Sequence, residues 1–414
     1  MEYLENIGRA AKSAATQRLS AHTRNTILLE SAAALRENAC AIIEANLRDV
    51  DEATQARMKE SFIDRLTLDK RRINIMAEGL EAVATLDDPL GETSQMRSLP
   101  NGLMVGQRSV PLGVVCMIYE ARPNVTADAY GLAFKSGNAV VLRGGKEALR
   151  SNLAIVTVLQ DVLERNRLPR AMVQLITETS RDVTTALMKL NQYLDVLIPR
   201  GGEGLIRSVV ENSTVPVIET GAGNCHIFVD ESADLEMAAA IVVNAKVQRP
   251  GVCNACEKLL VHRRLAEKFI PHICDALQEN KVEIRGDEAV TSIMGRAVIS
   301  AEQFDWSTEY LDYIIAIKVV DNISDAIAHI REYSTGHSET IVTESYGNAQ
   351  RFLDEVDSAV VYVNASTRFT DGFEFGLGAE IGISTQKLHA RGPMGLKALT
   401  SLKYVIYGSG QIRG

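Results

Sequence analysis

The chain has 414 residues, of which 46% are hydrophobic and 23% are charged, a composition typical of a globular protein with more than one core. Its formal net charge of −9 argues against nucleic acid as a partner, because binding to phosphates requires a basic surface. No apolar run approaches the roughly 20 residues of a membrane span, and the first residues lack the basic and apolar regions of a signal peptide. The six cysteines lie mostly in apolar segments, which favours a reducing, cytoplasmic setting over a disulfide framework.

Residues 2–86 have the periodicity of helices. Residues 25–46, for example, place apolar side chains at helical spacing and charged side chains on the other face. Asp87-Asp-Pro-Leu-Gly breaks this pattern, and residues 99–110 predict a turn followed by a strand.

From Gly113 the sequence alternates predicted strands with predicted helices. Residues 114–118 form a short, continuous apolar run, as expected for a strand buried on both faces. The further strands are predicted at 139–142, 173–176, 195–198 and 215–218, and the helices at 126–135, 147–164, 181–190 and 204–210. This alternation predicts a doubly wound parallel sheet, in which ligands bind at the carboxyl ends of the strands.

A second α/β set is predicted after residue 229. A strand at 227–229 followed by Asp230-Glu-Ser-Ala-Asp marks the expected domain boundary. The elements predicted beyond it are helices at 235–247, 265–279 and 325–332 and strands at 258–261, 313–319, 339–342 and 360–363. Residues 402–408 are again strand-like.

The segment from Ala245 to Glu257 contains the best candidate for a nucleophile. Cys253 follows Arg-Pro-Gly, so we expect a turn to present it, and a reactive thiolate requires partial exposure and nearby positive charge. The alternative is an inert cysteine that packs as a small hydrophobic residue. Cys253 and Cys256 have C-x-x-C spacing, but no second pair or histidines at ligand spacing accompany them, so we expect no metal.

Two glycine-containing motifs follow predicted strands of the first sheet. Arg143-Gly-Gly-Lys146 suits a contact with the ribose or phosphate of a dinucleotide, and a basic loop in solvent is the alternative. Arg200, Gly201 and Gly202 open a predicted helix, an arrangement that suits a pyrophosphate. Neither motif has the G-x-G-x-x-G spacing of the usual dinucleotide fingerprint.

Polar residues follow the predicted strand 114–118. Arg122 and Asn124 stand there in Glu-Ala-Arg-Pro-Asn-Val, where they could contact substrate or donate to an oxyanion. Capping of the loop is the alternative.

Together these segments resemble the aldehyde dehydrogenase superfamily over essentially the whole chain. Within it they are similar to the γ-glutamyl phosphate reductases, and the longest stretch of the resemblance is specific to that family. The segments that carry the resemblance are Pro111-Leu-Gly-Val-Val, Tyr119-Glu-Ala-Arg-Pro-Asn-Val-Thr, Phe134-Lys-Ser-Gly-Asn-Ala-Val-Val-Leu-Arg-Gly-Gly-Lys, Ile198-Pro-Arg-Gly-Gly, Gly223-Asn-Cys-His, Gln248-Arg-Pro-Gly-Val-Cys-Asn-Ala and Asp325-Ala-Ile-Ala-His-Ile-Arg-Glu-Tyr-Ser-Thr-Gly-His-Ser-Glu-Thr-Ile.

The resemblance implies an α/β fold with two doubly wound domains and a small β-arm. It places a Rossmann-like NADP-binding domain, with a helical N-terminal part, in residues 1–96 and 109–229. A catalytic domain with Cys253 would occupy residues 230–390. Residues 97–108 and 391–414 would form an arm that assembles a homodimer or homotetramer.

The resemblance also implies an activity. It is the NADPH-dependent reduction of L-glutamyl 5-phosphate to L-glutamate 5-semialdehyde and phosphate, the second step of proline biosynthesis from glutamate, without a metal. Glutamate 5-kinase, which makes the acyl phosphate, is the candidate functional partner. Cys253 matches the nucleophile that forms a thioester, and Asn124 lies near the position of an oxyanion-binding asparagine. Glu219, which lies 34 residues before Cys253, matches the water-activating base of oxidising relatives.

Further roles follow from the resemblance or from the chemistry of the substrate. Arg143 and Lys146 fall where relatives hold the adenosine ribose and its phosphate, and Glu309 matches a glutamate that contacts the nicotinamide ribose. The substrate carboxylate and phosphate require cations, for which the hypotheses are Arg122, Arg249 and Arg391. Two alternatives remain, a non-phosphorylating aldehyde dehydrogenase that uses Glu219 as general base and a non-catalytic nucleotide-binding homologue.

Overall fold

The structure, a computed structural model, describes residues 2–413 and divides into two compact units. Unit 1 contains residues 2–220, 376–382 and 394–413, and unit 2 contains residues 221–375 and 383–393. None of the helices in residues 2–413 has the length and apolarity that crossing a membrane requires.

The N-terminal part of unit 1 is helical, as its periodicity predicts. Two of its helices begin at side chains that accept a backbone N–H three residues later, Ser20 from Thr23 and Asp69 from Arg72. The helices of unit 1 are α1 (Glu2–Ala14), α2 (Ala21–Glu37), α3 (Ala39–Gln55), α4 (Glu60–Leu66), α5 (Lys70–Thr85), α6 (Asn124–Lys135), α7 (Leu149–Arg165), α8 (Arg181–Leu187) and α9 (Glu203–Asn212).

A parallel sheet forms the centre of unit 1. The first strands of the chain are β1 (Thr93–Ser98), β2 (Met104–Pro111), β3 (Val114–Tyr119), β4 (Ala139–Arg143), β5 (Val173–Leu175) and β6 (Val196–Arg200). The sheet has the order β5-β4-β3-β6, and every residue of β3 is buried, which explains its continuous apolar run. Because β4 and β6 lie on opposite sides of β3, the strand order reverses between β3 and β6. Sheets of this kind bind ligands at the carboxyl ends of the strands beside such a reversal. The strand predicted at 215–218 is reduced to a single bridge between Leu197 and Val217.

Unit 2 contains a second parallel sheet. Its strands are β7 (Cys225–Val229), β8 (Cys256–His262), β9 (Glu283–Gly286), β10 (Ile299–Ser300), β11 (Ile314–Val320), β12 (Ser338–Val342) and β13 (Val360–Val363), with a separate antiparallel pair of β14 (Ile383–Ser384) and β15 (Gly392–Pro393). The sheet order is β10-β9-β11-β8-β7-β12-β13. The helices of unit 2 are α10 (Leu235–Val247), α11 (Arg263–Glu279), α12 (Glu288–Met294), α13 (Ile323–Tyr333) and α14 (Tyr346–Glu355).

The division between the units differs from the predicted boundary. Strand β7 pairs with β8 and β12, since Ile227 lies opposite both Leu259 and Thr340. It therefore belongs to the second sheet, and the structure divides before Gly221 and not after residue 229.

The last strand of the chain, β16 (Thr400–Tyr407), returns to unit 1. It pairs antiparallel with β2 in a sheet of order β1-β2-β16, so the two segments predicted as an arm are hydrogen-bonded to each other. Leu402, Tyr404 and Ile406 alternate along β16 and are 57%, 68% and 58% exposed, which places an apolar row on one side of it. Arg391, predicted to begin the C-terminal part of the arm, lies instead in unit 2.

Candidate active site

Cys253 lies in a turn between α10 and β8, as predicted, and is half-buried. The turn packs against the segment that leads into β7. At Gly223 a Cβ atom would lie 1.4 Å from the carbonyl oxygen of Cys253 and 2.3 Å from its carbonyl carbon. Only a glycine at this position allows the two backbones to approach so closely.

A segment around a short 3-10 helix, Thr367–Phe369, holds the turn from another side. The Asn254 side chain donates to the carbonyl oxygen of Thr370 at 2.9 Å, and the Thr367 hydroxyl donates to the carbonyl oxygen of Asn254 at 2.7 Å. Arg368 donates through Nε to Gln248 Oε1 at 2.9 Å and through Nη1 to Asn254 Oδ1. These bonds connect the turn to residues more than a hundred positions later in the chain.

Arg368 also brings positive charge to the turn. Burial lowers the pKa of its guanidinium, the neighbouring Arg249 lowers this pKa further, and Cys253 raises it. The two arginines therefore provide the positive potential that stabilises a thiolate. The sequence pattern identified Arg249 but did not identify Arg368.

Two further thiols lie behind Cys253. Cys225 Sγ donates to the carbonyl oxygen of Cys253 at 3.2 Å. Burial raises the pKa of Cys225 well above its usual value and raises that of Cys256 to about 12. Both are fully buried and stay protonated at neutral pH, whereas Cys253 is half-buried and is the most accessible sulfur of this cluster. Within residues 2–413, no group of three or more His, Cys, Asp and Glu side chains could hold a metal ion.

Glu309 lies at the same edge of the second sheet. One of its carboxylate oxygens accepts the backbone N–H of Gly223 at 2.6 Å, so it contacts the residue that touches Cys253. The Asn224 side chain donates to the carbonyl oxygens of Trp306 and Tyr333, each at 2.8 Å. The segments before β7, β8 and β11 thus meet at the amino ends of these strands.

In unit 1, Arg200, Gly201 and Gly202 lie at the carboxyl end of β6, beside the reversal of strand order. The Glu120 N–H donates to the Arg200 carbonyl oxygen at 3.1 Å, and a Cβ at Gly201 would lie 2.7 Å from Cδ of Glu120. Gly202 is the N-cap of α9 and has no side chain to cap it, so the first N–H groups of the helix can receive an anion. This arrangement fits the pyrophosphate of a dinucleotide.

Arg143 ends β4, and Lys146 follows it on a short 3-10 helix. The two Nη groups of Arg143 donate to the carbonyl oxygens of Gly144 and Thr179, each at 2.7 Å. Its buried Nε has no partner among the described residues, and burial lowers its pKa. The guanidinium therefore braces the loops after β4 and β5, whereas Lys146 is exposed.

Asn124 is the first residue of α6, and its side chain donates to Asp128 Oδ2 at 3.2 Å. Burial raises the pKa of Asp128 to about 6, against the hydrogen bond from Asn124 and the charge of Arg200. The sequence pattern did not identify Asp128, although its i, i+4 spacing from Asn124 places the two on one helix face.

The remaining predicted residues lie in different surroundings. Arg122, in the loop before α6, is half-buried, and its N–H donates to the Glu120 carbonyl oxygen at 2.7 Å. Glu219 is half-buried near the end of the first segment of unit 1. Arg391 donates to a carboxylate oxygen of Asp357 at 2.8 Å and to its carbonyl oxygen at 2.9 Å. The guanidinium of Arg391 is therefore already engaged with a carboxylate.

Comparison with known proteins identifies the family of the chain. The sequence model of the aldehyde dehydrogenase family matches residues 2–316. The γ-glutamyl phosphate reductase of Lachnospira eligens is 57% identical over 415 residues, which cover 100% of both chains. That of Lacticaseibacillus paracasei is 61% identical over 412 residues, which cover 99% of this chain and 98% of the relative. The crystal structure of the γ-glutamyl phosphate reductase of Thermotoga maritima superposes with a TM-score of 0.97 at 49% identity, covering 99% of this chain and 100% of that one.

The chain belongs to the γ-glutamyl phosphate reductase family. Membership confirms the resemblance and the aldehyde-dehydrogenase-like α/β fold inferred from the sequence, and it makes the chain an oxidoreductase.

The sequence pattern identified the cysteine turn but missed the residues that fix it. The sequence did contain a signal for Gly223. It lies in Gly-Ala-Gly-Asn, and closely spaced glycines before a strand indicate a close approach of two backbones. Arg368 stands in a segment without a recognisable motif, so only the fold connects it to Cys253.

Proposed function

We propose that the chain catalyses the NADPH-dependent reduction of L-glutamyl 5-phosphate to L-glutamate 5-semialdehyde and phosphate, the second step of proline biosynthesis from glutamate. The observation that carries this proposal is the half-buried thiol of Cys253, on a turn fixed by Gly223 and flanked by two arginines. The choice of substrate is based on the γ-glutamyl phosphate reductases that are 57% and 61% identical over nearly the whole chain.

The chemistry of the chain's own residues supports each step. The Cys253 thiolate attacks the acyl carbonyl, the carbon–oxygen bond to phosphate breaks, and the glutamyl group remains as a thioester on sulfur. Arg249 and Arg368 favour both the thiolate and the departing anion. Asn124, held by Asp128, is the proposed oxyanion donor, and removal of one such donor typically costs about 3–4 kcal/mol. Glu219 has no step in this reaction, because the reaction consumes no water.

The proposed cofactor is NADPH, held through its pyrophosphate by Gly201, Gly202 and Arg200 at the amino end of α9. Lys146 and the Nε of Arg143 are the proposed contacts of the adenosine ribose and its phosphate, and Glu309 that of the nicotinamide ribose. When bound, the cofactor supplies the hydride that reduces the thioester to the aldehyde. No metal has a role in the proposal.

The reverse reaction tests this function. The full chain is incubated with glutamate 5-semialdehyde and NADP, with and without phosphate, and NADPH formation is followed by absorbance. We expect turnover only with phosphate, a near-complete loss in Cys253→Ala, and wild-type turnover in the control Cys40→Ala, which alters an exposed thiol. Formation of the free acid without phosphate would instead support an aldehyde dehydrogenase that uses Glu219. Absence of turnover in the wild type with phosphate, while NADP still binds, would support a non-catalytic homologue.

The proposal includes a homodimer or homotetramer. β16 lies at the edge of its sheet with an apolar row that is more than half exposed, and exposed edges of this kind are usually covered in native proteins. A second copy of the chain is the proposed cover.

Because the acyl phosphate is labile, glutamate 5-kinase, which makes it, is the proposed functional partner.

A further inference from the structure

Unit 1 contains a cavity of about 390 Å³ that the proposed function does not use. It opens between the amino end of α2, the connection from α5 to β1, and the strands β2 and β16. Its lining includes four cationic side chains, Arg18, Arg24, Arg108 and Lys403, together with the carboxylate of Asp88.

The cavity lies at the other end of the parallel strands from the proposed cofactor residues. Pro111 and Gly137, which line it, precede β3 and β4, whereas Gly201 follows the carboxyl end of β6. Strands of five or six residues at about 3.3 Å per residue separate the two ends by roughly 15–20 Å. The cavity is therefore a separate site.

The carboxylate of Asp88 is already neutralised by Arg24. Arg24 Nη2 donates to both oxygens of Asp88, at 2.7 and 2.6 Å, and its Nη1 donates to the Leu19 carbonyl oxygen at 2.5 Å. The Arg24 side chain is only 5% exposed, yet its Nε has no partner among the described residues. A buried donor without a partner costs free energy unless a ligand satisfies it.

Two of the other three cations face each other across neighbouring strands. Arg108 and Lys403 are direct partners in the register of β2 and β16, a position in which like charges repel. Arg108 donates to two neutral oxygens, the hydroxyls of Thr93 and Tyr407, at 3.2 and 3.3 Å. Among residues 2–413, neither Arg108 nor Lys403 has an ion pair within 4.0 Å. The amino end of the 17-residue helix α2, at Ala21 in the lining, adds further positive potential.

We propose that this cavity binds a small anion with a phosphate group, which neutralises Arg108 and Lys403 and satisfies the buried guanidinium of Arg24. Inorganic phosphates and phosphate monoesters share this chemistry. Because Arg108 and Lys403 belong to β2 and β16, the bound anion ties these strands to the amino end of α2 and stabilises them.

The test is calorimetric titration of the full chain with orthophosphate, pyrophosphate or glycerol 3-phosphate, in saturating NADP so that the cofactor residues are occupied. We expect saturable binding of at least one probe, and about a tenfold or greater loss of affinity in R108Q/K403Q, since the variant removes two charged hydrogen-bond donors from the cavity. Binding of glycerol 3-phosphate alone identifies an organic ester as the ligand, and binding of the other two probes alone identifies an inorganic phosphate.

Lys397→Gln is the matched control, because Lys397 is an 84% exposed lysine that lies near β16 and does not line the cavity. The affinity of this variant should stay within about twofold of the wild type, since solvent screens an exposed charge that does not line the cavity. Turnover should be retained in all variants. If R108Q/K403Q fails to fold, the single variant Lys403→Gln takes its place. Absence of saturable binding of all three probes, or wild-type affinity in the cavity variants, would overturn the proposal.

Discussion

The contact between Gly223 and the carbonyl group of Cys253 predicts a large effect of one added methyl group. In Gly223→Ala the new Cβ would lie 1.4 Å from the Cys253 oxygen, 2.3 Å from its carbonyl carbon and 2.7 Å from its Cα. All three are backbone atoms, so no side-chain rotation can relieve the overlap. An ordinary contact of 3.4 Å requires the two segments to separate by about 2 Å.

A shift of this size is expected to remove most of the activity without unfolding the protein. Overpacking typically costs about 1–3 kcal/mol of stability, which a domain of ordinary stability tolerates. A misplacement of about 1 Å at a reacting group can cost about 100-fold in rate. We therefore expect kcat/KM in the reverse assay to fall at least 100-fold, with the free energy of unfolding reduced by about 1–3 kcal/mol.

The measurement combines turnover, urea unfolding and the rate at which iodoacetamide alkylates Cys253, read by mass spectrometry of its peptide. Gly347→Ala is the matched control, because a Cβ at Gly347 on α14 meets no atom closer than 4.0 Å. It should leave turnover and the alkylation rate unchanged and should not lower the free energy of unfolding, since alanine is the better helix former. If Gly223→Ala keeps turnover within about threefold of the wild type, the turn does not depend on this contact and the account of the site is wrong.

Three further predictions follow from the charged and exposed groups. Burial raises the pKa of Asp128 to about 6, so its contribution to stability is present below pH 4 and is lost as the pH rises through 6. Asp128→Asn should therefore remove about 2–3 kcal/mol of the fall in the free energy of unfolding between pH 4 and pH 7, measured in urea, and equal pH dependence in both proteins would contradict this. Lys246 and Glu257 form a buried ion pair at 3.2 Å, and burial already raises the pKa of Glu257 to about 7. Lys246→Met leaves this buried carboxylate without its partner, so it should lower the free energy of unfolding in urea by about 3–5 kcal/mol. A loss below 1 kcal/mol would refute this reasoning. Tyr404→Glu should shift the chain toward the monomer in size-exclusion chromatography with light scattering, whereas Ser401→Glu should not, and a wild-type monomer would rule out the proposed assembly.

The alternation of strands and helices was predictable because each buried strand forms an apolar run of its own. The sheet to which a strand belongs was not predictable in the same way. Cys225–Val229 has the pattern of a buried strand in either sheet, and only its pairing with β8 and β12 assigns it to unit 2. β9 and α12 were missed because each is short and contains charged residues, so neither has a clear period.

In the active site, too, the local features were predictable from the sequence and the long-range contacts were not. The turn at Cys253 follows from its local sequence, since Arg-Pro-Gly favours a turn, and so does the uncapped helix end at Gly202. The contacts that orient these residues connect distant positions, such as Gly223 with Cys253 and Asn254 with Thr370. A single sequence contains no information on such pairs beyond residue type, so Arg368 became visible only in the fold.

The arrangement of the sulfurs explains why one of the cysteines in this cluster is suited to be the nucleophile. Cys225 and Cys253 are close enough that a charge on either disfavours a charge on the other, and Glu339 adds to this effect at Cys225. Burial decides between them, because Cys225 is fully buried and its raised pKa keeps it protonated. As a neutral thiol it donates to the Cys253 carbonyl oxygen. The half-buried sulfur of Cys253, close to Arg249 and Arg368, is therefore the better suited of the two to serve as a nucleophile.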